Sequence, residues 1–101
     1  MKVVVKKVGK VGEVQEIEGS LKVLQYLVGG YITTYPLGDE MLIICNEEGL
    51  LQGLEPNIDI IQGGYSQTIV GDIVIAKKGE EDFESLENKH IELLRKNELV
   101  K

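Results

Sequence analysis

The spacing of the apolar residues changes abruptly at one point in this chain, and that change limits what it can fold into. Leu21, Leu24, Leu27 and Val28 recur at helical spacing, whereas from Tyr31 onward the pattern becomes strand-like, with Gly29 and Gly30 at the change. The stretch SLKVLQYLVGGYITTYPLGDEMLIICNEEGLLQG, from Ser20 to Gly53, therefore reads as a short helix, a glycine hinge and a β-hairpin. Ser20 is a good N-cap, because its hydroxyl can accept from a backbone N–H of the first turn, and Gly29 falls where a C-terminal cap needs a left-handed residue. So short a helix is marginal alone and must be held by packing its apolar stripe against a sheet. The fold class that follows is α+β, a mainly antiparallel sheet or small half-barrel packed with two short helices.

The flanking segments supply the rest of that sheet. Lys2 to Val8 is β-branched and strand-like, Gly9 to Gly12 offers a turn, and Glu13 to Glu18 alternates roughly, as an edge strand with one wet face does. Tyr31 to Tyr35 and Met41 to Cys45 should pair across a turn at Pro36 to Asp39; a tight turn at Asn46 to Gly49 then leads to a short strand at Leu50 to Gln52. Gly53 to Ser66 has no sustained period and reads as the longest loop. Thr68 to Ala76 returns to strand character around a bend or bulge at Gly71-Asp72, with Ile73, Val74 and Ile75 in the core. After a polar connection from Lys77 to Asp82, Ser85 is placed to cap a last helix over Leu86 to Lys96, with Leu86, Ile91 and Leu94 on one side and Phe83 as its anchor. A chain of 101 residues suits one domain, residues 1–101.

Composition removes several function classes. No apolar run is long enough to span a bilayer, so no membrane association is expected. The opening MKVVVKKVGK lacks the apolar centre and small-residue cleavage site of a signal peptide. With one cysteine no intrachain disulfide can form, which suits a reducing cytoplasm. The net charge of −6 argues against long nucleic acid unless Lys2, Lys6, Lys7 and Lys10 gather on one face; on a strand Lys2 and Lys6 share a face while Lys7 takes the other.

Candidate chemistry is sparse. His90, the one histidine, falls at an exposed or half-exposed helix position with no positioned nucleophile, and Cys45 reads as a small buried hydrophobe whose thiolate Glu47 and Glu48 would oppose. Asp39-Glu40, Glu47-Glu48 and Glu80-Glu81-Asp82 are turn carboxylates without calcium-loop spacing. Gly29-Gly30 follows a helix, whereas a phosphate-cradling loop precedes one, so a nucleotide P-loop is excluded. No catalytic residue, metal site or cofactor is expected. Two groups could bind a ligand. Gly63 and Gly64 with Tyr65 and Ser66 offer bare N–H groups, a ring and a hydroxyl in a loop, and Tyr31 and Tyr35, with Thr33 between them, share a strand face as a stacking platform, a protein contact patch or half-buried core.

LQYLVGGYI at 24–32, NEEGLLQGLEPN at 46–57, IVGDIVIA at 69–76 and DFESL at 82–86, taken in order, resemble a domain-of-unknown-function family of small proteins from bacteriophages, plasmids and Firmicutes-type bacteria. The resemblance covers roughly residues 20 to 95, with Thr33 standing where many members have an acidic residue. It brings no catalytic residues to transfer. It implies a cytoplasmic protein of a mobile element, which binds and blocks host factors. Asn57, which closes the NEEGLLQGLEPN segment, joins Tyr31, Thr33, Tyr35 and Tyr65 as a ligand-contact candidate. The expected function is a non-enzymatic binding protein, an anti-defence protein that sequesters a small nucleotide signal or masks a host protein. The alternatives are a nucleic-acid accessory protein using the N-terminal lysines and a small enzyme, and the edge strands of a small sheet invite a homo-oligomer.

Overall fold

The structure, a computed structural model, describes residues 1–101 apart from the side chain of Gln62. Strands β1 (Lys2–Lys6), β2 (Glu13–Glu16), β3 (Ile32–Gly38), β4 (Met41–Asn46), β7 (Ile73–Lys78) and the short β8 (Phe83–Glu84) form one sheet in the order β2-β1-β7-β4-β3, with β8 on β7. Strands β5 (Pro56–Gln62) and β6 (Tyr65–Val70) form a separate two-stranded ribbon. Helices α1 (Leu21–Val28) and α2 (Asn88–Lys96) complete an α+β fold. Every strand pair is antiparallel, and the main sheet is open, with β2 and β3 at its edges, so no barrel closes.

Side-chain alternation along the central strands creates a core on each face. Val4, Ile43, Cys45, Ile73 and Ile75 belong to one cluster, which Leu86, Ile91 and Leu94 of the C-terminal segment complete and against which Ile58 and Ile60 of the ribbon pack. Val3, Val5, Ile44, Val74 and Ala76 point the other way, to Leu24 and Val28 of α1. The molecule is thus layered: α1, then the sheet, then α2 with the ribbon.

The helix at the hinge forms as its sequence implies. Ser20 Oγ accepts from the Val23 N–H (3.3 Å), and Gly29, with φ of +82°, donates its N–H to the Gln25 carbonyl. Elsewhere several expectations are corrected. Gly53 to Ser66 is mostly ribbon: Gly63 and Gly64, with φ of +54° and +78°, are the two-residue turn joining β5 to β6, a backbone that matches the twist of a hairpin. Leu50 to Gln52 is turn and not strand. Pro36 lies within β3, whose turn comes later, at Asp39-Glu40. The last helix starts at Asn88 with Glu87 as its N-cap, while Ser85 Oγ instead accepts from the Lys2 N–H (3.0 Å). Phe83 packs on the α1 side of the sheet, away from α2.

The open edges are blunted. On β2 the outward residues include Glu13 and Glu16, and β3 carries Pro36, which has no N–H to offer, followed by a shift of register before Gly38.

Candidate functional site

Three segments meet at one buried amide. Asn46 ends β4, and its side-chain Nδ2 donates to the Val28 carbonyl at the end of α1 (3.3 Å) and to Gln52 Oε1 (3.2 Å), while Oδ1 accepts from the Glu48 N–H (2.8 Å). It thereby satisfies one of the carbonyls that a helix end leaves without a partner. Gly30 lies against the same amide, since a Cβ there would stand 3.0 Å from Asn46 Nδ2. The start of β3 joins through the Glu47 N–H, which donates to the Tyr31 carbonyl (2.8 Å).

From this clamp the chain makes a knuckle over residues 47–54. The N–H groups of Gly49, Gln52, Gly53 and Leu54 donate to the carbonyls of Asn46, Glu48, Leu50 and Gly49. Internal bonding of this kind holds the backbone in one shape. Yet Leu50 is 80% exposed and Leu51 87% exposed. Tyr31, whose carbonyl accepts from the Glu47 N–H, is 67% exposed, and Tyr26, two residues before Val28 in α1, is 85% exposed. Single exposed apolar residues are ordinary, whereas the adjacent Leu50 and Leu51 stand out together on one internally bonded turn. Glu47, Glu48 and Glu55 are exposed around it.

The residues expected to bind a ligand are not brought to one place. Tyr31 precedes β3 and stands open; Tyr35, half-buried, packs on the core cluster that contains Cys45; Thr33 is half-buried between them. Beside Tyr35 is a dent of only about 50 Å³, too small to receive a base. Gly63, Gly64, Tyr65 and Ser66 form the exposed tip of the ribbon. Asn57 sits at the register shift of β5 with its amide fully engaged: Nδ2 donates to the carbonyls of Lys6 (2.9 Å) and Gly71 (2.8 Å), and Oδ1 accepts from Lys6 Nζ (2.5 Å). Lys6 is consequently buried, its ammonium pushed below the usual lysine pKa by desolvation, and it leaves Lys2, Lys7 and Lys10 as the outward part of the N-terminal lysine group.

His90 differs most from expectation. It is 1% exposed, and its Nδ1 accepts from the Glu87 N–H (2.9 Å), closing a capping box at the start of α2. Its Nε2 finds no hydrogen-bond partner among the described residues, with Glu40 Oε1 at 3.8 Å. Beside it, Glu87 Oε2 accepts from Lys77 Nζ (2.8 Å), which holds the Glu87 carboxyl below its ordinary pKa. The spacing of Leu86, His90 and Leu94 at intervals of four was the available sequence cue that His90 faces inward.

Cys45 is buried, and burial pushes its thiol up to about 11. A thiol-specific disulfide reagent at pH 8 is therefore expected to modify Cys45 only as fast as the protein unfolds. Because an unfolded thiol ionises near 9.0 and the folded one keeps its proton to about 11, stability from this group is present below pH 9 and lost as pH rises toward 11. Rapid labelling of native protein would contradict the buried assignment. Among the described residues no group of three or more His, Cys, Asp or Glu side chains is placed to hold a metal ion, and no helix is long and apolar enough to cross a membrane.

The chain is thus an open-sheet α+β protein that displays two exposed leucines on a hydrogen-bonded knuckle. The family model described as Domain of unknown function (DUF3846) matches residues 1–98, and the chain belongs to that family. Comparison with curated proteins and with solved structures gives no match.

Proposed function

We propose that this is a non-enzymatic binding protein that docks on another protein through the Leu50-Leu51 knuckle. The observation that carries this is the exposure of two adjacent leucines on a backbone held by its own hydrogen bonds and by Asn46. A flexible loop would lose conformational entropy on docking; a prebuilt knuckle avoids most of that cost. The partner presents an apolar pocket with a basic rim, complementary to Glu47, Glu48 and Glu55. A second copy of this chain fits less well, since it would bring the same glutamates together. In the bacteriophage and plasmid setting that the resemblance implies, such a protein acts in the host cytoplasm by masking a host factor, and so counters defence. Capture of a nucleotide signal has less support, because Asn57 is engaged internally and Gly63-Gly64 serves as a hairpin turn.

The test compares wild type with a Leu50→Asp/Leu51→Asp variant. A host protein retained by the wild type, then purified, is expected to bind the variant roughly 100-fold more weakly, as loss of two buried leucine contacts would give. The unfolding midpoints should agree, because both side chains are already in water. Unchanged affinity in the double variant would refute the reading.

A further inference from the structure

The first turn of α2 is closed by two reciprocal hydrogen bonds, and both side chains that accept them are titratable. The Glu87 carboxylate takes the His90 backbone N–H, and His90 Nδ1 takes the Glu87 backbone N–H (2.9 Å). In the common form of this box a hydroxyl stands at the N-cap, and a glutamate or glutamine reaches back from the third helical position. Here an imidazole reaches back. A neutral imidazole has one donor and one acceptor nitrogen, so the bond to Nδ1 places the ring proton on Nε2. An imidazolium has two donors and no acceptor. A proton taken up on Nδ1 would therefore point at the Glu87 N–H across 2.9 Å.

The surroundings do not relieve that conflict. The ring is 1% exposed, so a charge carried in place meets no water. Turning the ring over about its Cβ–Cγ bond would present carbon, not nitrogen, to the Glu87 N–H. On the far side Nε2 finds no partner among the described residues, and Glu40 Oε1, at 3.8 Å, is beyond hydrogen-bond reach and is shared with Lys89 Nζ (3.4 Å). The buried neutral ring thus leaves a donor unmet, a cost that release into water removes. The charged groups around it are Glu40 from the β3–β4 turn, Lys77 from β7, Glu84 from β8, and Glu87 and Lys89 at the helix start. Lys2 of β1 borders the same segment through its backbone bonds with Ser85 and Leu86. The hydrogen bond and charge of Lys77 hold the Glu87 carboxyl below its ordinary pKa, so Glu87 stays ionised, and keeps its half of the box, wherever an imidazole titrates.

We propose that the N-terminal turn of α2 is a proton-released latch: it stays docked while His90 is neutral, and uptake of a proton by the ring opens the capping box and frees the turn from the sheet. The open turn takes up the proton, so docking is complete above the imidazole range and weakens as pH falls through it. No residue of the Leu50-Leu51 knuckle takes part, so either reading can fail without the other.

The test is amide hydrogen exchange, followed by NMR on the full-length protein at pH 7.5 and pH 5.5, with each rate divided by the intrinsic rate at that pH. Protection of the Glu87, His90 and Ile91 amides is expected to fall about tenfold between the two, the factor for an opening that exposes one ordinary imidazole to a proton. Ile43 and Val74 in the central strands should keep theirs. At pH 7.5 the ring nitrogen signals of His90 should show the Nε2–H form. His90→Gln is the deciding variant, because glutamine accepts the same N–H from this position and does not titrate; its α2 protection should be equal at both pH values. His90→Leu, which gives up the bond and keeps most of the volume, should also be insensitive to pH, and it serves if the glutamine variant does not fold. Glu87→Gln, which keeps an acceptor at the N-cap, should retain the fall. Protection in α2 that does not change with pH, a fall that persists in His90→Gln or His90→Leu, a fall lost in Glu87→Gln, or an Nδ1–H ring at pH 7.5 would overturn the proposal.

Discussion

Replacement of Asn46 by alanine is expected to destabilise the protein by about 2–4 kcal/mol, since it strands a helix-terminal carbonyl and removes three hydrogen bonds around a buried side chain. For a chain of this length each kcal/mol moves the melting temperature by about 4–8 °C, so thermal unfolding reads the effect directly. Asn46→Asp separates the two halves of the clamp. The carboxylate can still accept from the Glu48 N–H, but it meets the Val28 carbonyl and Gln52 Oε1 with oxygen in place of a donor. It should therefore lose at least as much at neutral pH as alanine does. Hydrogen exchange adds a local readout, since the amides of Gly49, Gln52 and Leu54 should exchange faster in both variants than global destabilisation explains. A loss below about 0.5 kcal/mol, the range of ordinary surface changes, would mean that the knuckle is held by something other than Asn46.

The second large effect is expected at His90. Truncation to alanine removes a fully buried ring and the acceptor of the Glu87 N–H, a loss of about 3 kcal/mol when a core cavity and a helix cap are both forfeited. Leucine is the informative contrast. It restores most of the volume and removes the Nε2 group that lacks a partner, so His90→Leu should lose only about 1 kcal/mol, the value of the cap. Denaturant titration of the two variants ranks these contributions. If leucine proved as damaging as alanine, the ring would be holding something that shape cannot replace, and the contact with Glu40 at 3.8 Å would be the place to look.

What was legible in the sequence is what is decided locally. Helix α1 and both of its caps follow from Ser20, a short apolar stripe and Gly29, all within about ten residues of one another. The central strands were legible for the same reason, because Ile73, Val74 and Ile75 have nowhere to go but the core. The ribbon was missed although its cue was present: Gly63-Gly64 is flanked by Ile58 and Ile60 on one side and Gln67 and Ile69 on the other, alternation that Pro56 and Asn57 obscured. Leu50 and Leu51 read as strand from the sequence alone, where adjacent apolar residues are expected to be buried. The clamp through Asn46, with the turn's own hydrogen bonds, keeps them in a turn and in water, and nothing within the turn announces the partner Val28. The same holds for Asn57 and Lys6, whose pairing spans 51 positions of sequence.

The place of β7 in the sheet governs the order in which the molecule can be assembled. It lies between β1 and β4, yet its residues, Ile73 to Lys78, come late in the chain. Until they emerge from the ribosome, the β1–β2 and β3–β4 hairpins can each form, but they have no strand to join them, and α1 has only part of the surface it covers. At about 5–20 residues per second the synthesis of 101 residues lasts roughly 5–20 s, and for about a third of that time, between the completion of β4 and that of β7, two inner sheet edges stand open. The outer edges of the finished protein carry glutamate and proline, while the inner edge of β4 offers Leu42, Ile43 and Ile44 with no such guard and that of β1 has lysine only at its two ends. Nascent chains are therefore most prone to aggregate just before the strand that would protect them has been made.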